Sequence, residues 1–445
     1  MDLEHTVAAA LAGNRSALIA FAVKHLSLPK PDIAAIARGD ATLIAQVQDA
    51  ARALLAPRSG ATITPVIVGD HAPQTIAQLA VCLDHDDAVA GAICADGHLG
   101  YSQPVCGVVA YREHISVSGV GFDIACGNLA VRTDMPFGEV KDRAVPLLET
   151  ISARISFGVG RSNDADVAHP LFEDEEAWRA ADALALRPMA QQQLGTVGAG
   201  NHYVDLFREV VDGVPDDEGV VWIGIHFGSR GLGHKLATQY LKRRGGKEGI
   251  HVRPTLLHQD SDLGRGYLAA MELAGRYAYA GREWVAATVL DILDAGETDR
   301  VHNHHNFAWR EAVAGAPAWV VRKGCTPAFP GQRGFVGGSM GDDAVILEGI
   351  AGPEATSLLS ATVHGAGRLF GRKEAKRRFT RAEMTAWLAA RGVTLRGGDL
   401  DESPMAYRRL PEVLARHAGS VRVVTTLRPF AVVMAGVDVI DPFKD

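Results

Sequence analysis

The sequence predicts an α+β protein, one interwoven mixed α/β domain behind a short helical segment. Three observations carry that reading. Apolar runs rich in β-branched residues alternate along the chain with stretches of strong helix formers. Glycine is over-used, at 48 of 445 residues against an average of about 7%, and it sits in turns between apolar runs. The segments holding reactive side chains are scattered from residue 96 to residue 368 with no repeat or obvious linker between them. A site assembled from so many separated pieces needs one interwoven domain.

The elements follow in order. Residues 1–57 read as a helical segment, because Ala8–Ala12 and Leu43–Leu55 are good helix formers and Pro29 and Pro31 punctuate them. Residues 58–445 read as the catalytic domain. It opens with a strand over Thr62–Val68, β-branched between turn formers. From about residue 90 to 130 the texture is short apolar runs cut by glycine. Residues 137–190 read as helical and acidic, with Glu173–Glu176 as a solvated surface or loop. Val220–His226 is a buried-strand candidate that ends on a histidine. Tyr267, Met271, Ala274, Ala278 and Val285 recur at helical spacing, which predicts a long helix over 266–294 with these residues as core. Trp319–Arg322, Val345–Leu347 and Val421–Leu427 are further strands.

Composition excludes several function classes. With 47% hydrophobic and 22% charged residues the chain is an ordinary globular one, neither disordered nor collagen-like. A net charge of −7 excludes a polycation that binds nucleic acid by bulk charge, although a local basic groove stays open. Five cysteines (Cys82, Cys94, Cys106, Cys126, Cys325) are too sparse for a disulfide framework. The amino terminus lacks a signal-peptide pattern and no apolar run reaches membrane-span length. A soluble cytoplasmic enzyme without membrane contact is expected.

The histidines carry the chemistry. There are 17 of them, and several flank glycine or asparagine: Asp96-Gly-His98, Gly200-Asn-His202, His226-Phe-Gly-Ser-Arg230, His302-Asn-His-His305-Asn306 and His364-Gly-Ala-Gly-Arg368. A lone histidine is more often a hydrogen-bonded structural residue than a ligand. The joint texture changes that reading, since glycine lets the backbone approach a ligand closely. Asp123 and Cys126 are three apart, so both can face one ion. The plain reading of Cys126 is a small buried hydrophobe; Gly121, Gly127 and Asp123 beside it favour a ligand instead. Thiolate, imidazole and carboxylate suit a divalent transition metal, and the soft thiolate favours zinc. Of His302, His304 and His305, one or two at most share a site. Gly337-Gly-Ser-Met-Gly341, His364–Gly367 and Gly195–His202 are turns whose N–H groups suit phosphate oxygens. Residue types and spacing thus yield a metal-dependent phosphate-chemistry enzyme and no named reaction.

In this order the pieces resemble the RtcB family of RNA ligases. Ala95-Asp-Gly-His-Leu-Gly-Tyr101 resembles that family's Pro-Asp-x-His-x-Gly-Tyr, and Gly119-Val-Gly-Phe-Asp-Ile-Ala-Cys-Gly127 its Gly-Val-Gly-x-Asp-Ile-x-Cys-Gly. Gly195–Tyr203, His226–His234, His305-Asn306, Arg322-Lys-Gly324, Gly338–Gly341 and His364–Arg368 follow in family order, so the likeness runs from about residue 60 to about 434. The resemblance implies an RtcB-type domain with a central glycine- and histidine-rich cleft for metal and nucleotide. It implies joining of an RNA 3′-phosphate or 2′,3′-cyclic phosphate to a 5′-hydroxyl end, in tRNA splicing or RNA repair, with GTP and two manganese ions. Manganese displaces our softness argument for zinc, because carboxylate and phosphate oxygens add hard ligands. His364 matches the histidine that becomes guanylylated. Asp123 and Cys126 match ligands shared by both ions, His202 a ligand of one, His226 and His305 ligands of the other. Asn201, His202, Tyr203, Val204 and Asp205, with His305 and Asn306, match segments lining the nucleotide, as do Gly337, Gly338, Ser339 and Met340 and then His364, Gly365, Ala366 and Gly367. An archease-like activator is an implied partner, and a monomer is expected.

The chain departs from the family at named places. Asp205 stands where many relatives have glutamate, and Ala344 where a serine is expected. Val433-Met434-Ala-Gly lacks the near-terminal lysine; Lys444, on the short extension, is the candidate to replace it at the nucleotide. Leu369-Phe370-Gly371-Arg372 replaces the segment after the histidine turn. Arg230 and Arg368 are candidates for RNA or triphosphate oxygens, and Arg372–Arg378 is the best basic patch for an RNA backbone. These departures keep two other readings open: a homologue that binds RNA ends or nucleotide without ligation, and a metal-dependent phosphodiesterase.

Overall fold

The computed structural model describes residue 10 and residues 13–23, 30–55, 63–247 and 249–436. The chain divides into two compact units, Met1–Ala61 and Thr62–Asp445.

In the first unit helices Arg15–Phe21, Lys30–Arg38 and Ala41–Leu55 bury Leu18, Phe21, Ile36 and Val47 against one another. Local caps set their starts. Asn14 accepts from the Ala17 N–H at 3.1 Å, and Asp40 from the N–H groups of Thr42 and Leu43. Most of Ala8–Ala12 lies outside the described residues.

The second unit holds two main sheets among helices, a mixed α/β architecture. The larger, of eight strands, runs in the order Arg333–Val336, Ala344–Gly349, Val421–Met434, Tyr203–Val210, Val220–Phe227, Gly127–Pro136, Glu297–His304, and Thr394–Arg396 also pairs with Val421–Met434. The smaller runs Val66–Ile67, Ala88–His98, Val105–Tyr111, Ala316–Lys323, Asn306–Val313. Chain order and spatial order differ in places. Tyr203–Val210 pairs with the next strand, Val220–Phe227, but also with Val421–Met434. Gly127–Pro136 lies between Val220–Phe227 and Glu297–His304, so each site strand has a partner distant in sequence. One buried cluster packs Leu129, Ile223 and Ile225 against Leu147, Ile151 and Val285 of the helices, and another surrounds Trp178, Tyr267 and Tyr277.

The strands expected at Val220, Trp319, Val345 and Val421 are present, the last extending to Met434. The long helix spans Asp262–Leu293, starting a turn earlier than its apolar pattern. Ser261 Oγ accepts from the Gly264 N–H at 3.0 Å, and Asp262 places an acid in the first turn. Its five expected core residues are buried. The strand expected over Thr62–Val68 is only Val66–Ile67 in the described residues. Pro65 has no N–H for a ladder, which explains the late start. Glu173–Glu176 is not simply solvated loop: Asp174 caps helix Glu175–Ala180 and pairs with Arg276 at 2.7 Å. No helix among the described residues is long and apolar enough to cross a membrane.

His417 is fully buried, and its Nε2 accepts the Ala95 N–H at 3.0 Å. That bond needs an unprotonated nitrogen, and burial lowers the His417 pKa from 6.5 to about 4. The unfolded chain therefore takes up a proton that the folded chain refuses. Stability is full above about pH 6.5 and falls by about 1.4 kcal/mol per pH unit from this group as the pH drops toward 4. Denaturant unfolding across that window should show a shallower loss in His417→Gln than in the parent.

Candidate metal and nucleotide site

Four of the five candidate ligands converge because each lies at the end of a neighbouring strand, and Asp123 lies in the turn before one of them. Cys126 directly precedes strand Gly127–Pro136, His202 precedes Tyr203–Val210, His226 is next to last in Val220–Phe227, and His305 follows Glu297–His304. Register places His226 between Tyr203 on one side and Asn128 on the other. At His305 the chain leaves the larger sheet and at Asn306 enters the smaller. The His305 N–H donates to the Cys126 carbonyl at 2.8 Å and the Ala125 N–H to the Asn306 carbonyl at 2.7 Å, closing the seam. Gly127 is required there: a Cβ would meet the Asn303 carbonyl oxygen at 2.2 Å. Ala125, just before Cys126, is held at φ +58, a left-handed conformation a non-glycine residue rarely adopts.

The donor atoms meet closely. Cys126 Sγ lies 3.7 Å from His202 Nε2 and 3.6 Å from His226 Nε2, and His202 Nε2 lies 3.1 Å from Asp123 Oδ2. The rings of His226 and His305 stack at 5.1 Å. The outer nitrogens are engaged: His202 Nδ1 with the Val197 carbonyl at 3.0 Å, His226 Nδ1 with Asn128 Oδ1. Each bond fixes the ring with Nε2 turned inward. Burial holds His226 and His305 far below the ordinary imidazole pKa, so both keep a lone pair. Burial pushes Asp123 up, but the hydrogen bond and charge of His202, helped by Arg230, outweigh it and leave the carboxyl well below its usual range. Burial also pushes the Cys126 thiol well up, so it ionises only with a cation beside it. His305 Nδ1 is buried with no hydrogen-bond partner among the described residues. Cys126, His202 and His226 each offer a donor atom within 4.8 Å of the other two, Asp123 lies against His202, and His305 stacks on His226 with an unpartnered nitrogen; this set suits a divalent cation.

His364 follows strand Ala361–Val363, and its ring lies 5.0 Å from that of His305. Asp96 Oδ2 accepts from the His364 backbone N–H at 3.2 Å and lies 2.9 Å from its Nδ1. Asp96 is fully buried; burial raises its pKa, but the hydrogen bond and charge of His364 outweigh that and leave it lowered. With the ring proton on Nδ1, Asp96 Oδ2 accepts it and the lone pair is left on Nε2. Asp96 stands in the Asp96-Gly-His98 motif, but nothing in the sequence pairs it with His364. A partner 268 residues away leaves no signal in local spacing.

Both groups open on one cleft of about 1080 Å³. Asn201, His202, Tyr203, Asp205, His305, Asn306, Gly337, Gly338, Ser339, Met340, His364, Gly365, Ala366 and Gly367 all line it. Val204 does not. Side chains alternate along a strand, so Val204 turns from the face of Tyr203 and Asp205 and is fully buried in the helix-side core. Lys444 lies outside the described residues. Asn306 spends both ends of its amide on the scaffold, donating to the Asp123 carbonyl at 3.3 Å and accepting the Gly324 N–H at 2.6 Å. Asp205 Oδ1 is buried without a partner among the described residues, and burial pushes its carboxyl well up. Met340, Val432 and Met434 give one wall an apolar character, while Ala344 is buried behind the lining. Arg230, Arg368 and Arg372 reach the cleft. Arg230 lies 3.0 Å from His202 Nδ1, Arg368 is paired with Glu402 at 3.0 Å, and Arg372 lies 3.6 Å from Glu402.

Arg282 was invisible in the sequence because it reads as one more charge on a helix. It is fully buried, and no ion pair joins it to a carboxylate among the described residues. Its N–H groups donate to the carbonyls of Ala125 and Phe227, to His302 Nε2 at 2.8 Å and to His304 Nδ1. This explains the histidine cluster: His305 faces the cleft, whereas His302 and His304 serve the guanidinium that clamps the backbone beside Cys126 and His226. Arg282→Met leaves four buried acceptors unpaired, at about 1–3 kcal/mol each. Its denaturant midpoint should fall by several kcal/mol in stability, with part restored in Arg282→Lys.

A family profile described as tRNA-splicing ligase RtcB matches residues 77–435. The chain is 30% identical over 419 residues to a tRNA-splicing ligase RtcB of Thermococcus kodakarensis, covering 76% of this chain and 86% of that protein. It is 31% identical to an RNA-splicing ligase RtcB of Mycobacterium tuberculosis, covering 76% and 95%, and 27% identical to one of Escherichia coli, covering 76% and 88%. With the profile spanning most of its length, this chain belongs to the RtcB family of RNA ligases.

Proposed function

We propose that the protein is a GTP- and manganese-dependent RNA ligase. It seals RNA 3′-phosphate or 2′,3′-cyclic phosphate ends to 5′-hydroxyl ends through a guanylylated His364. The observation that carries the reading is the Asp96-oriented imidazole of His364, one ring away from the Asp123, Cys126, His202, His226 and His305 cluster.

The chain's own groups divide the work. Asp96 keeps the ring proton on Nδ1, so Nε2 is the nucleophile. Nε2 attacks the α-phosphorus of GTP; a nitrogen–phosphorus bond forms and pyrophosphate leaves. A 2′,3′-cyclic end is first opened by water to the 3′-phosphate. The GMP then passes to the RNA 3′-phosphate, freeing the imidazole, and the 5′-hydroxyl oxygen attacks that activated phosphate and expels GMP. Asp123 and Cys126 would be shared between two manganese ions, His202 on one and His226 with His305 on the other. Bound there, the ions supply charge neutralisation for the phosphates and the alignment of entering and leaving oxygens. The cation-free donor set fits them, since the orphaned His305 nitrogen and the protonated Cys126 thiol both gain by coordination. Arg230 and Arg372 are placed for phosphate oxygens at the cleft. A weaker guanine preference than the family's would follow from Ala344 and Met434, which stand where the serine and the near-terminal lysine are expected.

The test is protein labelling by α-phosphate-labelled GTP with manganese. The parent forms an adduct and His364→Ala forms none. Asp96→Asn places an amide N–H against Nδ1, moves the ring proton to Nε2, and slows labelling by roughly 10²–10⁴-fold with nucleotide binding retained. Absence of labelling with any nucleotide in the parent would favour a homologue that binds without ligating. Lys444→Ala is expected to weaken GTP labelling; undiminished labelling removes Lys444 from the nucleotide site.

A further inference from the structure

Behind His364, away from the cation cluster, three of the remaining cysteines meet. Cys94, Cys106 and Cys325 pack in one buried cluster, all three fully buried. Cys106 Sγ lies 3.3 Å from His364 Nδ1 and donates to the Gly324 carbonyl. Its backbone is at φ +61, the left-handed region that favours glycine. Holding a cysteine there costs on the order of 1–3 kcal/mol, which a residue serving only as filler would not require. Asp96, also fully buried, offers Oδ2 to the same nitrogen at 2.9 Å, and its Oδ1 has no hydrogen-bond partner among the described residues. One donor atom each from Asp96, Cys106 and His364 lie within 4.8 Å of one another.

We propose that Asp96, Cys106 and His364 Nδ1 form a second cation site, selective for a soft divalent ion of the zinc class, whose occupancy switches the His364 nucleophile off. A carboxylate and a thiolate balance the charge of a divalent ion, which a buried position demands. The sulfur, nitrogen and oxygen set is one that tetrahedral zinc takes with a fourth position open. Zinc reaches it past His364, whose side chain is 16% exposed. The proton balance gives the switch. Cys106 releases its thiol proton to solvent, and the ring proton moves from Nδ1 to Nε2 as the metal takes the Nδ1 lone pair. Nε2 then carries a hydrogen and has no lone pair for phosphorus. Removing the ion restores the tautomer that Asp96 sets. The inhibitory consequence rests on the proposed role of His364; the site itself does not.

The experiment has two arms on the full chain with manganese saturating. Zinc is located by anomalous diffraction at its absorption edge, and its inhibition of GTP labelling is titrated. The proposal expects a zinc peak bonded to Asp96, Cys106 and His364. Cys106→Gly, which suits φ +61 and keeps the fold, should lack that peak. Compared with its own zinc-free rate, it should need about tenfold more zinc or beyond for half-inhibition. Zinc only at the Cys126 cluster, or equal zinc sensitivity in Cys106→Gly, overturns it. Failure of the parent to label even without zinc counts against the ligase reading alone, because the diffraction arm still decides the site.

Discussion

The seam at Cys126 and His305 is the constraint on which the rest depends. Two backbone hydrogen bonds, His305 N–H to the Cys126 carbonyl and Ala125 N–H to the Asn306 carbonyl, tie the edge of the larger sheet to the point where the chain enters the smaller one. Cys126, His202, His226 and His305 hang from strand ends beside that seam, and Asp123 lies in the turn that leads into it. Arg282 grips it from behind through the carbonyls of Ala125 and Phe227, and Asn306 from the front through the Asp123 carbonyl and the Gly324 N–H. A left-handed alanine persists next to Cys126 because both sides of its peptide are held. The strain belongs to the device that turns the Cys126 sulfur toward two imidazoles.

Burial gives the site its chemistry as well as its shape. Neutral histidines, a protonated thiol and an unpartnered nitrogen are poor company in a dry interior, since unpaired buried polar groups are costly. In the proposed reading a cation would reverse each term at once: imidazole lone pairs would gain a partner, the thiol would become a thiolate, and the Asp123 carboxylate would gain a counter-ion. Across the same cleft Asp96 Oδ2 lies against the backbone N–H and Nδ1 of His364, and under the proposed mechanism it holds the ring proton there so that Nε2 can react. Two titratable centres one ring apart are thus prepared for different tasks by their partners.

Much of this was legible in the chain. The helix Asp262–Leu293 followed from its apolar spacing, and the strand Val220–Phe227 from a short apolar run. Glycine and asparagine beside histidine marked the cleft, because close approach of backbone to ligand restricts residue type locally. What was not legible was non-local. Asp96 meets His364 across 268 residues, and Arg282 serves four acceptors from three other segments. Val204 was misplaced by treating a run of five residues as one lining, when strand alternation sends every second side chain to the core. The expected strand at Thr62 shortened at Pro65, a signal present in the sequence but outweighed by its β-branched neighbours.

The most direct measurement is tandem mass spectrometry of the protein after incubation with GTP and manganese at neutral pH. The account predicts a GMP mass added to the peptide containing His364, with fragmentation placing it on that imidazole. A GMP group on a lysine, or on any other histidine, would contradict it.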